Sequence, residues 1–199
     1  MQIASKNLLS LIQILDMNTL TIDKTKEWTV NDYLLLGEIK TPCQLINGEL
    51  IMSPAPTPYH QQISRRLFKI IDTITAGKGE LFYAPIDLFM DDRNVFQPDL
   101  VFLSDNNKKF LTERGIEGPP DLVVEIISPS NSYTDRNQKK NSYLQFGIRE
   151  YWIVDPGNET IEIYTPEGGL DVPVFFASIE GEVSSAILKG RTFNLKEIF

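Results

Sequence analysis

Hydrophobic and polar positions along this chain follow two different periods, and the changes between them mark the predicted elements. Ile63, Leu67, Ile70, Ile71 and Ile74 recur at spacings of four, three, one and three, with Arg65, Arg66 and Lys69 outside the stripe. Such spacing is the one-sided apolar face of an amphipathic helix, here expected to begin near His60. A second helix is predicted over Asp135 to Phe146. Gly147 stops it, because glycine adopts the left-handed backbone of a helix end most easily. A shorter helix should follow Thr29, whose hydroxyl can cap it with Asp32 three residues on. Leu8 to Leu15 is an apolar stretch interrupted by Ser10 and Gln13, and it reads as another short helix.

Strand signals fill the remainder. Gln44 to Met52 reads as a tight hairpin, since Asn47-Gly48 supplies the positive backbone angles of a two-residue turn between apolar flanks. Ser53 to Pro58, with three prolines, is a rigid connector. Three strands are predicted next, over Glu80 to Met90, Val95 to Leu103 and Asp121 to Ile127. The last is a nearly continuous apolar run rich in β-branched residues, which places it centrally in a sheet covered on both faces. Asp105 to Pro120, charged and carrying Gly115, Gly118, Pro119 and Pro120, is expected to be a mobile surface segment. Glu150 to Val154 makes a strand that ends in the turn Asp155-Pro156-Gly157. Thr160 to Thr165 alternates well, Pro173 to Ile179 less so, and Leu195 to Phe199 closes the chain as further hairpin material. Helix, three strands, helix and strand in succession imply an α/β or α+β fold, a sheet with helices packed on it and additional β-hairpins.

Length and charge then narrow the class. At 199 residues the chain suffices for one domain, expected to span 1–199 with its core at about 28–165. With 19 basic and 27 acidic residues the net charge is -8, so the molecular field repels a polyanion and argues against a nucleic-acid coat protein. It leaves open an enzyme that gathers carboxylates around a cation. Cys43 is the only cysteine, which excludes an intramolecular disulfide or a thiolate metal cluster and fits a reducing, cytoplasmic setting. No run approaches the roughly 20 apolar residues that span a bilayer, so no membrane segment is expected. Leu8 to Leu15 also lacks the basic flank and small-residue cleavage site of a leader.

Candidate chemistry rests on acids in apolar strands. Asp99 precedes Leu100-Val101-Phe102-Leu103, and Glu125 is embedded in Leu122-Val123-Val124-Glu125-Ile126-Ile127. A buried carboxylate is costly unless a cation or strong donors compensate it. Singly, each acid is better read as a strand cap or an ion-pair partner, but on adjacent strands both can face one cleft. Hard divalent cations such as magnesium take one or two carboxylates together with carbonyl, water and phosphate oxygens, and the Ile126 carbonyl offers one more ligand. Asp135, Lys139 and Tyr143 recur at intervals of four along one helix face. There Lys139 either supports a metal-bound water and phosphoryl charge or is a solvated lysine paired with Asp135. Lys140 is expected to face solvent. His60, the only histidine, is open to two readings, a phosphate or water contact and a plain structural residue at a helix start. Glu49, just past the turn, reads as a solvated hairpin residue or a further acidic ligand. No glycine-rich phosphate loop, serine elbow or paired cysteines occur.

Taken in order, Gln44-Leu45-Ile46-Asn47-Gly48-Glu49, Ser53-Pro54, His60-Gln61 and Gln97-Pro98-Asp99-Leu100-Val101 resemble the Uma family of restriction-endonuclease-like proteins. Pro120-Asp121-Leu122-Val123-Val124-Glu125-Ile126-Ile127-Ser128-Pro129-Ser130 continues the match, followed by Asp135, Lys139, Tyr143, Gly147 and Glu150-Tyr151-Trp152-Ile153-Val154-Asp155-Pro156. The resemblance runs from about Trp28 to Tyr164, with a weaker part at Leu188-Lys189-Gly190. It implies the PD-(D/E)xK nuclease fold, a mixed central sheet flanked by helices, with Asp99 and Glu125 at the acidic positions. The usual lysine two residues after the second acid is replaced by Ile127, and the family pattern points to Lys139 instead.

The expectation is therefore a magnesium- or manganese-dependent endonuclease acting on nucleic acid. Asp99, Glu125 and Lys139 are its catalytic set, Asp99, Glu125 and Ile126 hold the metal, and Glu49, His60 and Asp135 support them. The alternatives are a noncatalytic module that keeps the nuclease fold to bind nucleic acid or protein, and a structural protein with ion-paired strand acids. A homodimer is left open.

Overall fold

In the computed structural model of the chain, residues 25–37, 43–128, 132–169 and 171–199 are described; the expected helix at Leu8 to Leu15 lies outside them. Helix α1 (Val30–Leu35) starts at a capping box, with Asp32 N donating to Thr29 Oγ1 at 3.3 Å and Thr29 N to Asp32 Oδ2 at 3.0 Å. Strands β1 (Cys43–Ile46) and β2 (Glu49–Met52) pair antiparallel across Asn47 and Gly48, at φ 53° and 80°. Both turn positions lie in the left-handed region, as a two-residue hairpin turn demands. Helix α2 (Pro58–Thr75) begins two residues earlier than its apolar stripe suggested. Thr57 caps it by accepting from His60 N at 3.2 Å, and Pro58 sits at the first position, where no N–H is needed.

Two of the predicted strands are each broken in two. Glu80 to Met90 is β3 (Gly79–Tyr83) and β4 (Leu88–Asp91), and Val95 to Leu103 is β5 (Asn94–Phe96) and β6 (Leu100–Ser104). Pro85 and Pro98 stand at the breaks, and a residue without an N–H cannot continue a ladder. In each case the halves enter different sheets. Asp105 to Pro120 is not a free surface segment. It carries a 3-10 turn (Lys108–Phe110) and strands β7 (Leu111–Thr112) and β8 (Gly115–Ile116). β8 pairs with β4, and Ile116 is fully buried. Burial of that isoleucine and of its neighbours outweighs the polar composition around it.

The central strand β9 (Leu122–Ile126) is buried along its whole length. It lies between β6, antiparallel, and β10 (Glu150–Asp155), parallel. With β11 (Thr160–Tyr164) and β12 (Phe175–Ser178) these form a mixed sheet in the order β12-β11-β10-β9-β6-β3, while β2-β1-β5-β4-β8-β7 form a second. Alternation along β9 divides the interior. Leu122, Val124 and Ile126 join Ile63, Leu67 and Ile71 of α2 on one face. Val123 and Ile127 join Tyr143 and Leu144 on the other, beside Ile46, Leu88 and Phe96 of the second sheet. Each large side chain so buried contributes about 1.5–3 kcal/mol of transfer free energy.

Tyr143 and Leu144 belong to α3 (Lys140–Phe146), ended by Gly147 at φ 92°, and a π-helical segment (Thr134–Lys139) leads into it. Strands β13 (Glu182–Ser184) and β14 (Thr192–Asn194) pair near the C-terminus, and Leu195–Glu197 is a 3-10 turn where sequence had suggested hairpin material. Among the described residues no helix is long and apolar enough to cross a membrane. The architecture is thus the mixed α+β sheet flanked by helices expected from the sequence.

Candidate active site

Register brings the two acids together. β6 and β9 pair Val101 with Val123 and Leu100 with Val124, and one step further along the two chains stand Asp99 and Glu125. The Asp99 carbonyl accepts from Ala84 N at 3.1 Å, just beyond the Tyr83–Leu100 pair, and Asp99 Oδ2 accepts from Ile126 N at 2.7 Å. Glu125, 4 % exposed, projects to the face that the π-helical segment and α3 cover.

That segment supplies the cation. Lys139 Nζ lies 3.0 Å from Glu125 Oε1 and 3.0 Å from Asp135 Oδ1, and the lysine is 3 % exposed. The Tyr143 hydroxyl donates to the same Glu125 oxygen at 2.7 Å. Asp135 Oδ1 is buried and, close as Lys139 is, receives no aligned hydrogen bond from the described residues. Tyr151 OH donates to the Asp135 carbonyl at 2.9 Å. Beside Asp135, Arg136 bonds Glu162 at 2.6 Å and Asp155 at 2.9 Å, fastening the segment to β10 and β11. π-Helical turns are often found at functional sites. Lys140, expected in solvent, is half-buried with its ammonium over the Tyr164 ring.

His60 approaches from the opposite element, the first turn of α2. Its Nε2 is 3.0 Å from the Ile126 carbonyl and 3.3 Å from Asp99 Oδ2, while its Nδ1 is buried without a partner among the described residues. His60, Asp99, Glu125, Ile126, Asp135 and Lys139 all line one cleft of about 980 Å³. Glu49 is the exception among the residues singled out by sequence: it is exposed on β2 and does not line the cleft.

Burial pushes the Glu125 carboxyl up to about 8, against the pull of the Lys139 ammonium, and Asp135 and Asp99 add to the push. Burial also raises Asp135, again opposed by Lys139. For Lys139 burial acts downward, but Glu125 and Asp135 more than reverse it and hold the ammonium above the ordinary lysine value. Burial would lower His60; the hydrogen bond and charge of Asp99 overcome it, and the imidazole is raised. Glu125 and Asp135 share the Lys139 ammonium and keep it charged.

Oxygens of Asp99, Glu125 and Ile126 face the cleft, with the His60 imidazole bonded across two of them. Among the described residues no three carboxylate, imidazole or thiolate groups converge as a metal cage. Oxygens of this kind suit a hard cation that keeps several waters or phosphate oxygens, as magnesium does. Tyr143, placed by its spacing on the face of Asp135 and Lys139, does reach Glu125, whereas the contacts of Tyr151 and Arg136 left no signal in the sequence.

Comparison with known proteins agrees with this architecture. The sequence profile of Uma2, described as "Putative restriction endonuclease", matches residues 30–196. An uncharacterised protein of Synechocystis sp. is 24 % identical over 153 residues, covering 75 % of this chain and 86 % of that protein. The crystal structure of a putative nuclease belonging to DUF820, from Anabaena variabilis, superposes with a TM-score of 0.73 at 20 % identity. It covers 86 % of this chain and 97 % of that one.

Proposed function

Since the chain belongs to the Uma2 family of putative restriction endonucleases, we propose that it hydrolyses phosphodiester bonds of nucleic acid with magnesium or manganese. The observation that carries this reading is Lys139, a lysine 3 % exposed and held 3.0 Å from a strand carboxylate at the floor of a cleft. An ammonium is kept there at the cost of its hydration, which fits a charge required in the reaction.

Asp99, Glu125 and the Ile126 carbonyl would hold the cation, which when bound polarises a phosphoryl oxygen and acidifies a water. The residues of the chain do the rest. Lys139, raised and therefore protonated, stabilises negative charge growing on the phosphate and does not serve as the base. Asp135 sets the position of Lys139, and the Tyr143 hydroxyl fixes the Glu125 carboxylate. His60 already touches Asp99 and the Ile126 carbonyl, so it lies within reach of anything bound there and has to yield space to a cation on those oxygens. The reading assigns no role to Glu49.

A noncatalytic nucleic-acid- or protein-binding module is the second reading, favoured by the neutralisation of Lys139 between two carboxylates. One experiment separates the two. Mixed DNA and RNA are incubated with the natural protein, Asp99→Ala and Glu125→Ala in magnesium, manganese or a chelator. Cutting by the natural protein in metal alone, lost in both variants, is expected. Cutting by none of the three proteins, or equally by all three, refutes the nuclease reading.

A further inference from the structure

The walls of the cleft carry a different message from its floor. Among the described residues, Lys139 is the one lysine or arginine lining it, set against Asp99, Glu125, Asp135 and Asp155. Proteins that hold duplexes do so chiefly by matching phosphates with lysine and arginine along a groove. Among the described residues that line this site no such row occurs. One exposed ring lines it: Tyr59, 41 % exposed and next in sequence to His60. Tyr133, 72 % exposed, does not line the cleft itself but follows the lining residue Ser132; Tyr83, which precedes the lining pair Ala84-Pro85, packs edge-on against Phe68. Rings of this size are ordinarily buried, and exposed beside a cleft they offer flat apolar faces to a flat partner. The remaining wall is proline, small residues and uncharged polar groups such as Ser53, Thr57 and Gln61. At about 980 Å³ the cleft is at the upper end of the range for small-molecule pockets and has room for a few nucleotides.

Resting on the nuclease reading of the same site, we infer that the cleft takes a single-stranded segment of nucleic acid, its bases stacked on Tyr59 and Tyr133. Stacking tolerates any sequence, because every base has a π-face. With a net charge of -8 on the chain and one cationic side chain lining the cleft, the rings and not the phosphates carry the contact.

Binding is read in a chelator, so that it is separate from cutting. Fluorescence anisotropy is followed for a fluorescein-labelled single strand of about 12 nucleotides, within single-strand site sizes, and for the same sequence as a blunt duplex. The single strand should bind at least about tenfold more tightly, with a shallow salt dependence. Tyr59→Ala and Tyr133→Ala should each weaken it by about fivefold or more, and Tyr59→Phe and Tyr133→Phe should restore it, since the ring does the stacking. Equal or tighter duplex binding, or folded alanine variants that bind unchanged, overturns the inference. Metal-dependent cutting of duplex by unimpaired tyrosine variants would also remove it while leaving the nuclease reading in place. Ring-dependent single-strand binding without cutting in any metal would remove the nuclease reading and keep this one.

Discussion

Lys139 donates to Glu125 across 3.0 Å, and neither side chain exceeds 6 % exposure. An ion pair this far from water is held by its partners, since either charge alone would be stranded. Lys139→Met should therefore cost about 3–5 kcal/mol. A chain of this size should then melt about 6–20 °C lower. The double variant Lys139→Met with Glu125→Gln should lose clearly less than the sum of the single losses, read by urea unfolding. Simple additivity would mean that the pair does not interact as described.

His60 is the only histidine, so its titration is directly observable by NMR. Burial lowers its pKa, but the hydrogen bond and charge of Asp99 leave it above 6.5. A raised folded value means that the charged imidazole favours folding. Its contribution is fully present below 6.5 and is lost as pH rises through the folded value. Asp99→Asn should bring the midpoint below that of the natural protein and flatten the stability change across this window. An unchanged midpoint would show that Asp99 does not govern it.

Asp121 tests the opposite sign. Its carboxylate accepts from Ser104 N at 2.7 Å, Asn107 Nδ2 at 2.9 Å and Arg149 Nη1 at 3.1 Å. Burial raises its pKa, yet these donors more than compensate and hold it below the ordinary 3.8. Stability from this group is present above 3.8 and disappears as pH falls through the depressed value. Asp121→Asn should destabilise by about 1–3 kcal/mol at neutral pH. The gap between variant and natural protein in urea midpoint should narrow in acid, and a gap independent of pH would contradict this.

What the sequence made legible follows from the range of the forces involved. Asn47-Gly48 dictates its turn through its own backbone angles, and the stripe Ile63, Leu67, Ile71 and Ile74 predicts its helix through its spacing. Asp99 and Glu125 stood out because carboxylates are costly in apolar strands. The breaks at Pro85 and Pro98 are local too, but which sheet each half joins is decided by distant pairing, and periodicity is blind to that. β8 has only two residues, and burial of Ile116 creates it. The π-helical segment was hidden because a spacing of four suits an ordinary helix as well. Arg136 and Tyr151 act through Asp155, Glu162 and the Asp135 carbonyl, contacts that exist only once the sheet is assembled.

At the centre stands the assignment of Asp99 and Glu125 to one cation site, and manganese binding followed by electron paramagnetic resonance tests it without recourse to activity. The natural protein should bind one manganese ion per chain. Asp99→Asn and Glu125→Gln, each shown to be folded by circular dichroism, should each weaken binding by at least about tenfold, the effect of losing roughly 1.4 kcal/mol. Equal binding by all three proteins, or no binding by the natural one, would contradict the account.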